Sequence, residues 1–212
     1  MKVRPIAAVA IAALATSALG IAFAQTPAPQ PAAPAAPAAL SESLPVPPPP
    51  TVQAKAWVLM DYETGQVIAG SNQDQQVEPA SITKVMTSYV VAAEMKAGKV
   101  HGNDPVMMSE HAWREGGAGT EGSYSGFEVN KTAPLVDMEK GMVIQSGNDA
   151  AIALAEHVAG SEDAFASLMN AYAARIGLKH SHWVNPHGLS APDHYSTAHD
   201  LALLGRALIR DF

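Results

Sequence analysis

Between Ile82 and Ala93 the apolar residues Ile82, Val85, Met86, Tyr89, Val90 and Ala93 recur at helical spacing. Pro79 cannot sit inside that helix but can stand just before it, so Ser81 falls at or near the N-terminus. Gly98 is the stop, after Lys96 has set a positive charge at the negative end of the helix dipole. Apart from Lys84, polar residues are few there (Thr83, Thr87, Ser88), and a helix apolar nearly all round is expected to run through the core.

Upstream, the apolar runs Ala54 to Met60 and Gln66 to Gly70 flank Asp61-Tyr62-Glu63-Thr64-Gly65, the pattern of a β-hairpin. Asp104 to Ser109 predicts a short strand. Trp113 to Thr132, rich in Gly, Ser and Glu and without a period, predicts a loop of the kind that covers a site. Helical patterning returns from Leu135 to Gln145 and breaks at Ser146-Gly147-Asn148. A second helix is predicted from Asp149 to Val158, its acid in the first turn where the dipole favours it. Ser161 caps a third helix to Ile176, with Gly177 as its stop. His182 to Val184 predicts a short strand, and Thr197-Ala198-His199-Asp200 is a capping box before Leu201 to Arg210. The pattern is that of a helix-rich α/β body with an early hairpin and no internal repeat.

Residues 1–24 have the layout of a secretory signal: Lys2 and Arg4, an Ala-rich apolar run from Ile6 to Ile21, then Ala22-Phe23-Ala24 as a cleavage site. The run is marginally long enough for a membrane anchor, but its weak alanine-based hydrophobicity favours removal and a working place outside the cytoplasm. Residues 25–50 hold ten of the sixteen prolines and predict an extended tether. That leaves 51–212 as one folded domain. Net charge is −7, and −9 once Lys2 and Arg4 are set aside, which argues against a nucleic-acid partner and lends no support to docking on anionic lipid. There is no cysteine, hence no disulfide and no thiolate metal site.

Ser81 and Lys84 stand one turn apart on one helix face, within side-chain reach. Burial disfavours the ammonium form of Lys84, which can then act as a base. The helix N-terminus offers free N–H groups where an oxyanion would form on acylation of Ser81. Together these make an activated nucleophile that needs no histidine. The plain alternative is a serine cap and a surface lysine. Ser146-Gly147-Asn148 is a tight polar turn between two helices, whose hydroxyl and carboxamide could relay a proton and hold a substrate amide. Its plain alternative is an ordinary capping turn.

Ser-x-x-Lys and Ser-x-Asn occur together, with Lys-Thr-Gly, in penicillin-binding proteins and class A β-lactamases. More specifically, AWVLMDYETGQVIAG, EPASITKVMTSYVV, VIQSGNDAAIALAEHVAG and GLKHSHWVNPHGLSAPDHYSTAHDLALLGRALIRD resemble the low-molecular-mass penicillin-binding proteins that are serine-type D-alanyl-D-alanine carboxypeptidases. The resemblance runs from Ala54 to the last residue. It implies a β-lactamase/transpeptidase-like α/β fold, an antiparallel sheet flanked by helices plus an all-helical subdomain. It also implies that Ser81 is acylated, that Lys84 takes its proton and that Ser146 relays it to the leaving amine. Asn148, with Gly147, would hold the substrate's peptide bond. The implied substrate is the D-Ala-D-Ala end of a peptidoglycan stem peptide. β-Lactams would be covalent inhibitors, with no metal or cofactor, and the place of action the periplasm, with membrane association through a C-terminal segment.

Two departures accompany the resemblance. The loop from Arg114 to Gly126 does not follow the family pattern, and no Lys-Thr-Gly occurs in the chain. The family's C-terminal strands are therefore expected to be missing here, leaving an N-terminal fragment that is inactive by itself. Three rivals are weighed. A serine β-lactamase must add a base for deacylation, which class A enzymes supply as a glutamate; the Glu-x-x-Leu-Asn pattern expected for it is absent, and the turn is Ser-Gly-Asn where those enzymes have Ser-Asp-Asn. A metal-binding module would use His180, His182, His187, His194 and His199, against solvated surface histidines as the plain reading. A non-catalytic cell-wall binder would have no need to retain Ser81, Lys84, Ser146 and Asn148 together.

Overall fold

The computed structural model describes residues 48–120 and 122–212, so the expected signal segment and nearly all of the 25–50 tether lie outside the described residues. The chain first makes an antiparallel hairpin, β1 (Trp57–Met60) and β2 (Val67–Ser71), in which Trp57 faces Ser71 and the register shifts between Leu59 and Met60. Its turn is closed by Asp61, whose Oδ1 accepts from both the backbone N–H and the hydroxyl of Thr64 at 2.7 Å. A 3₁₀ turn at Ala80–Ile82 leads into α1 (Thr83–Lys96). Then follow β3 (Pro105–Met107), α2 (Glu110–Gly116), β4 (Thr132–Pro134), α3 (Leu135–Gln145), α4 (Asn148–Ala159), α5 (Glu162–Ile176) and α6 (Ala198–Asp211). β3 and β4 form a second antiparallel pair, separate from the hairpin.

Two helices make the centre. In α1, Met86, Val90 and Val91 are fully buried; in α4 every residue from Asn148 to Ala155 is buried. The alanines of α4 let it pack against α1, α2, α3 and α5. Met138, Met142, Phe165, Met169, Trp183 and Leu204 close the core around them. Burying each such side chain contributes about 1.5–3 kcal/mol. α6 lies against β1, and Arg206 ties the hairpin turn down through the carbonyls of Tyr62 and Glu63 at 2.5 and 2.8 Å.

The long periodic segments form as their sequences predict, with Ser161 and Thr197 capping α5 and α6 by accepting from Ala164 N–H and Asp200 N–H. Two local expectations are corrected. The segment read as loop from Trp113 begins inside a helix: Ser109 caps α2 by accepting from Ala112 N–H at 2.9 Å, and the irregular chain starts at Gly117. His182 to Val184 is not a strand but a single bridge, His182 with Tyr195. Ser81 falls near the start of α1 as expected, in the 3₁₀ turn that leads into it, and the residue before it, Ala80, takes a left-handed conformation (φ +47°).

Candidate active site

The turn at Ala80–Ile82 leaves Ser81 exposed, while Lys84, in the first turn of α1, is only 5 % exposed. Its Nζ lies 3.3 Å from Ser81 Oγ and donates to Asn148 Oδ1 and to the His187 carbonyl, both at 2.7 Å. Burial brings the Lys84 pKa down to about 8, against the opposing pull of the Asp149 charge. A usable fraction of neutral amine therefore exists near neutral pH. When that amine takes a proton from Ser81, the ammonium finds two acceptors already in place.

Ser146 ends α3 in a left-handed conformation (φ +56°) and donates to Ser81 Oγ at 3.1 Å. Gly147 has no room for a side chain: a Cβ would come within 2.8 Å of Asp149 Oδ1 and of the Ser125 backbone nitrogen. Asn148, the last residue of the expected turn, is the first residue of α4. Its carbonyl oxygen is committed to Lys84, and its Nδ2 lies against Gly122 of the irregular loop. The structure thus brings together Ser81 from the 3₁₀ turn, Lys84 from α1, Ser146 from the end of α3 and Asn148 from the start of α4.

Sequence reasoning missed two participants. Asp149, read as an acid for the helix dipole, accepts from Ser125 N–H (2.8 Å), Ser125 Oγ (2.7 Å) and Ala150 N–H (2.8 Å). With Asn148 N–H donating to Ser123 O at 2.8 Å, it pins the loop of Arg114 to Gly126 onto the start of α4. Replacing Asp149 by alanine leaves the Ser125 N–H without its partner, so an unfolding free energy lower by about 2–3 kcal/mol is expected in denaturant melts. A change under 0.5 kcal/mol would show that the loop is held by other means.

His187 is the second. It was grouped with the other histidines, yet it serves through its backbone carbonyl. Asn185 shapes that turn, its Oδ1 accepting from His187 N–H and Gly188 N–H at 3.3 and 2.7 Å, and Thr87 Oγ1 donates to the Pro186 carbonyl. Three of the other histidines have partners of their own: His182 Nδ1 meets the Asp193 carbonyl at 2.7 Å, His194 Nε2 meets Thr83 Oγ1 at 2.9 Å, and His199 meets Asp74 at 3.2 Å. Among the described residues no group of three His, Asp or Glu is placed to hold a metal ion.

Ser81, Lys84 and Ser146 form the polar side of a concavity of about 250 Å³, and Val85, Met142, Val143 and Leu208 its apolar side. A sequence profile described as D-alanyl-D-alanine carboxypeptidase matches residues 43–212. The chain belongs to the D-alanyl-D-alanine carboxypeptidase family. Members similar to it include the D-alanyl-D-alanine carboxypeptidase DacC of Escherichia coli, 48 % identical over 162 residues, and DacA of Haemophilus influenzae, 42 % identical over 160. Each alignment covers 76 % of this chain and 40 % of the relative, so the chain spans about 40 % of the length of these carboxypeptidases.

Solved members agree in fold. Penicillin binding protein 5 from Haemophilus influenzae superposes with a TM-score of 0.75 at 41 % identity, over 79 % of this chain and 48 % of that one. Penicillin binding protein 6B from Escherichia coli gives 0.74 at 40 %, over 80 % and 54 %. The α/β transpeptidase-type fold expected from the motifs is the fold of these relatives, here represented by its helices and two small antiparallel sheets.

Proposed function

We propose that this chain carries the nucleophile and base of a serine-type D-Ala-D-Ala carboxypeptidase, which removes the terminal D-alanine of peptidoglycan stem peptides through an acyl-Ser81 intermediate. Family membership supports the reaction class. The observation that carries the reading is the buried Lys84 amine between Ser81 Oγ, Asn148 Oδ1 and the His187 carbonyl.

Lys84 takes the Ser81 hydroxyl proton as Oγ adds to the penultimate D-Ala carbonyl. The tetrahedral intermediate then collapses and the C–N bond breaks. The Lys84 ammonium returns its proton to the Ser146 hydroxyl, which stands beside Ser81 Oγ and gives its own proton to the departing amine nitrogen, which leaves as D-alanine. Water hydrolyses the ester and restores Ser81. Asn148 acts first on Lys84, and Gly147 leaves room for Ser125 of the loop that is held against the start of α4. A β-lactam follows the same first step, but its leaving nitrogen stays tethered, and the acyl-enzyme persists.

The leader pattern of residues 1–24 supports export, and we place the protein in the periplasm, associated with the cell membrane; fractionation of cells tests this. Among the described residues no helix is long and apolar enough to cross a membrane.

Incubating the full-length protein with fluorescent penicillin is expected to give stoichiometric label on Ser81 by peptide mapping, and a D-Ala-D-Ala-ended peptide is expected to lose one D-alanine. Label elsewhere, or fast catalytic turnover of nitrocefin, would overturn the reading. The acylation rate is also expected to rise with pH, since the base must be neutral, with its midpoint at or below about 8. A midpoint above 9 would mean that another group takes the proton.

A further inference from the structure

Ser81 and Lys84 both belong to the start of α1, yet no side chain caps that start: neither Pro79, before the 3₁₀ turn, nor Ile82, before the helix, makes a capping bond. Helix ends without such support fray, which a nucleophile and its base cannot tolerate. Among the described residues, one side-chain hydrogen bond leaves positions 79–83 apart from those of Ser81. It joins Thr83 Oγ1 to His194 Nε2 at 2.9 Å.

The ring's other nitrogen fixes the direction of that bond. Val184 N–H donates to Nδ1 at 3.1 Å, so the neutral imidazole carries its proton on Nε2 and Thr83 Oγ1 accepts it. Burial keeps the ring neutral by lowering its pKa, helped by the charge of His182 and opposed by that of Glu78. His194 is 3 % exposed, and Thr83 is fully buried. Trp183 stands edge-on to the ring, with centroids 5.7 Å apart, and limits its rotation.

The two bonds reach both sides of Lys84. Thr83 immediately precedes the lysine, and Val184 immediately precedes the turn, shaped by Asn185, whose His187 carbonyl accepts from it. That turn also packs on the Thr83 hydroxyl, since a Cβ added at Gly188 would lie 2.8 Å from Oγ1. A histidine placed only to fill the core would need neither bond. An apolar residue would fill the space without burying two polar nitrogens.

We propose that His194 is a positioning residue for Ser81 and Lys84: its Nε2–H, held in direction by Val184, pins Thr83 and with it the start of α1 against the His187 turn. The inference rests on the functional reading above for its assay. His194 makes its ring bonds to Thr83 and Val184, not to Ser81 or Lys84, so its effect on the reaction passes through Thr83.

The test follows acylation of the full-length protein by fluorescent penicillin, separating the dissociation constant of the first, non-covalent complex from the acylation rate constant. His194→Asn puts a side-chain oxygen where Nδ1 stands, keeping an acceptor for Val184, but gives Thr83 no donor. Thr83→Val keeps the shape of the residue and removes its acceptor. Each is expected to lower the rate constant about ten-fold, with the dissociation constant within about two-fold of the parent's. The double variant is expected to be no slower than the slower single, because both changes remove the same bond. His194→Gln, whose amide nitrogen reaches the place of Nε2, is expected to recover most of the rate.

Acylation of His194→Asn or Thr83→Val at the parent's rate constant overturns the proposal while the parent's own acylation still stands. So do effects that multiply in the double variant, or a rate for His194→Gln no higher than for His194→Asn. A fall confined to the fraction of protein that takes label is the mark of a merely structural role and overturns it too. A parent that is not acylated overturns the functional reading and this inference together. Independently of activity, the histidine nitrogen spectrum of the parent near neutral pH is expected to show His194 in the Nε2–H tautomer; an Nδ1–H tautomer would sink the proposal even if every variant failed to fold.

Discussion

Changing Ser81 to alanine in the full-length protein is expected to abolish covalent labelling by penicillin, and changing Lys84 to alanine to reduce its rate by about 100- to 10,000-fold, the usual contribution of a positioned base. The two act as one unit, Ser81 Oγ lying 3.3 Å from Lys84 Nζ, so the double variant should resemble Ser81→Ala rather than show a product of effects. Lys84→Ala is not innocent structurally. It leaves Asn148 Oδ1 and the His187 carbonyl without the donor they share, a cost of about 1–3 kcal/mol for each acceptor that water cannot reach. The melt must therefore be followed alongside the label. Undiminished labelling of a folded Lys84→Ala protein would remove Lys84 from the role of base.

How much of this could be read from residues alone depended on the range of the interaction. α1, α3, α4, α5 and α6 are long enough for a 3.6-residue period to repeat, and Ser161 and Thr197 mark two of their starts by side-chain caps. α2, with seven residues, shows barely two turns, and only the Ser109 cap betrays it. The register shift after Leu59 depends on how two strands meet, which neither strand's pattern specifies. Ser81 and Lys84 are neighbours along one helical start, so their partnership is a local fact. Their meeting with Ser146 and Asn148 spans more than sixty positions and was reached by resemblance. Most hidden was the His187 carbonyl: every residue has one, so the side chain that marks the position says nothing about the oxygen that does the binding. Asp149 does stand in the first turn of its helix, as read, but its hold on Ser125 stayed hidden because an acid there has a sufficient local explanation in the dipole.

Gly188→Ala is expected to be the most damaging single-atom change outside the site itself. Gly188 has φ +93°, which costs a residue with a Cβ about 1–2 kcal/mol. The added Cβ would also lie 1.9 Å from the Ala80 carbonyl oxygen and 2.8 Å from Thr83 Oγ1. Neither neighbour can yield freely. Ala80 already holds a left-handed conformation immediately before Ser81, and Thr83 is fixed by His194. Overpacking of this kind typically adds about 1–3 kcal/mol, so the unfolding free energy should fall by roughly 2–5 kcal/mol. The larger effect is on chemistry. Relief of the clash must move either the Ala80–Ser81 turn or the turn from Asn185 to Leu189, and both hold groups around Lys84 Nζ. Displacement by about 1 Å commonly costs on the order of 100-fold, so acylation should slow by at least that much. Gly98→Ala is the control: Gly98 also has a positive φ (+70°), but nothing lies within 4 Å of its added Cβ. That variant should lose the backbone term alone and acylate at the parent's rate. Equal acylation rates in Gly188→Ala and Gly98→Ala would show that the 185–189 turn can move without disturbing Ser81 or Lys84, against the geometry described.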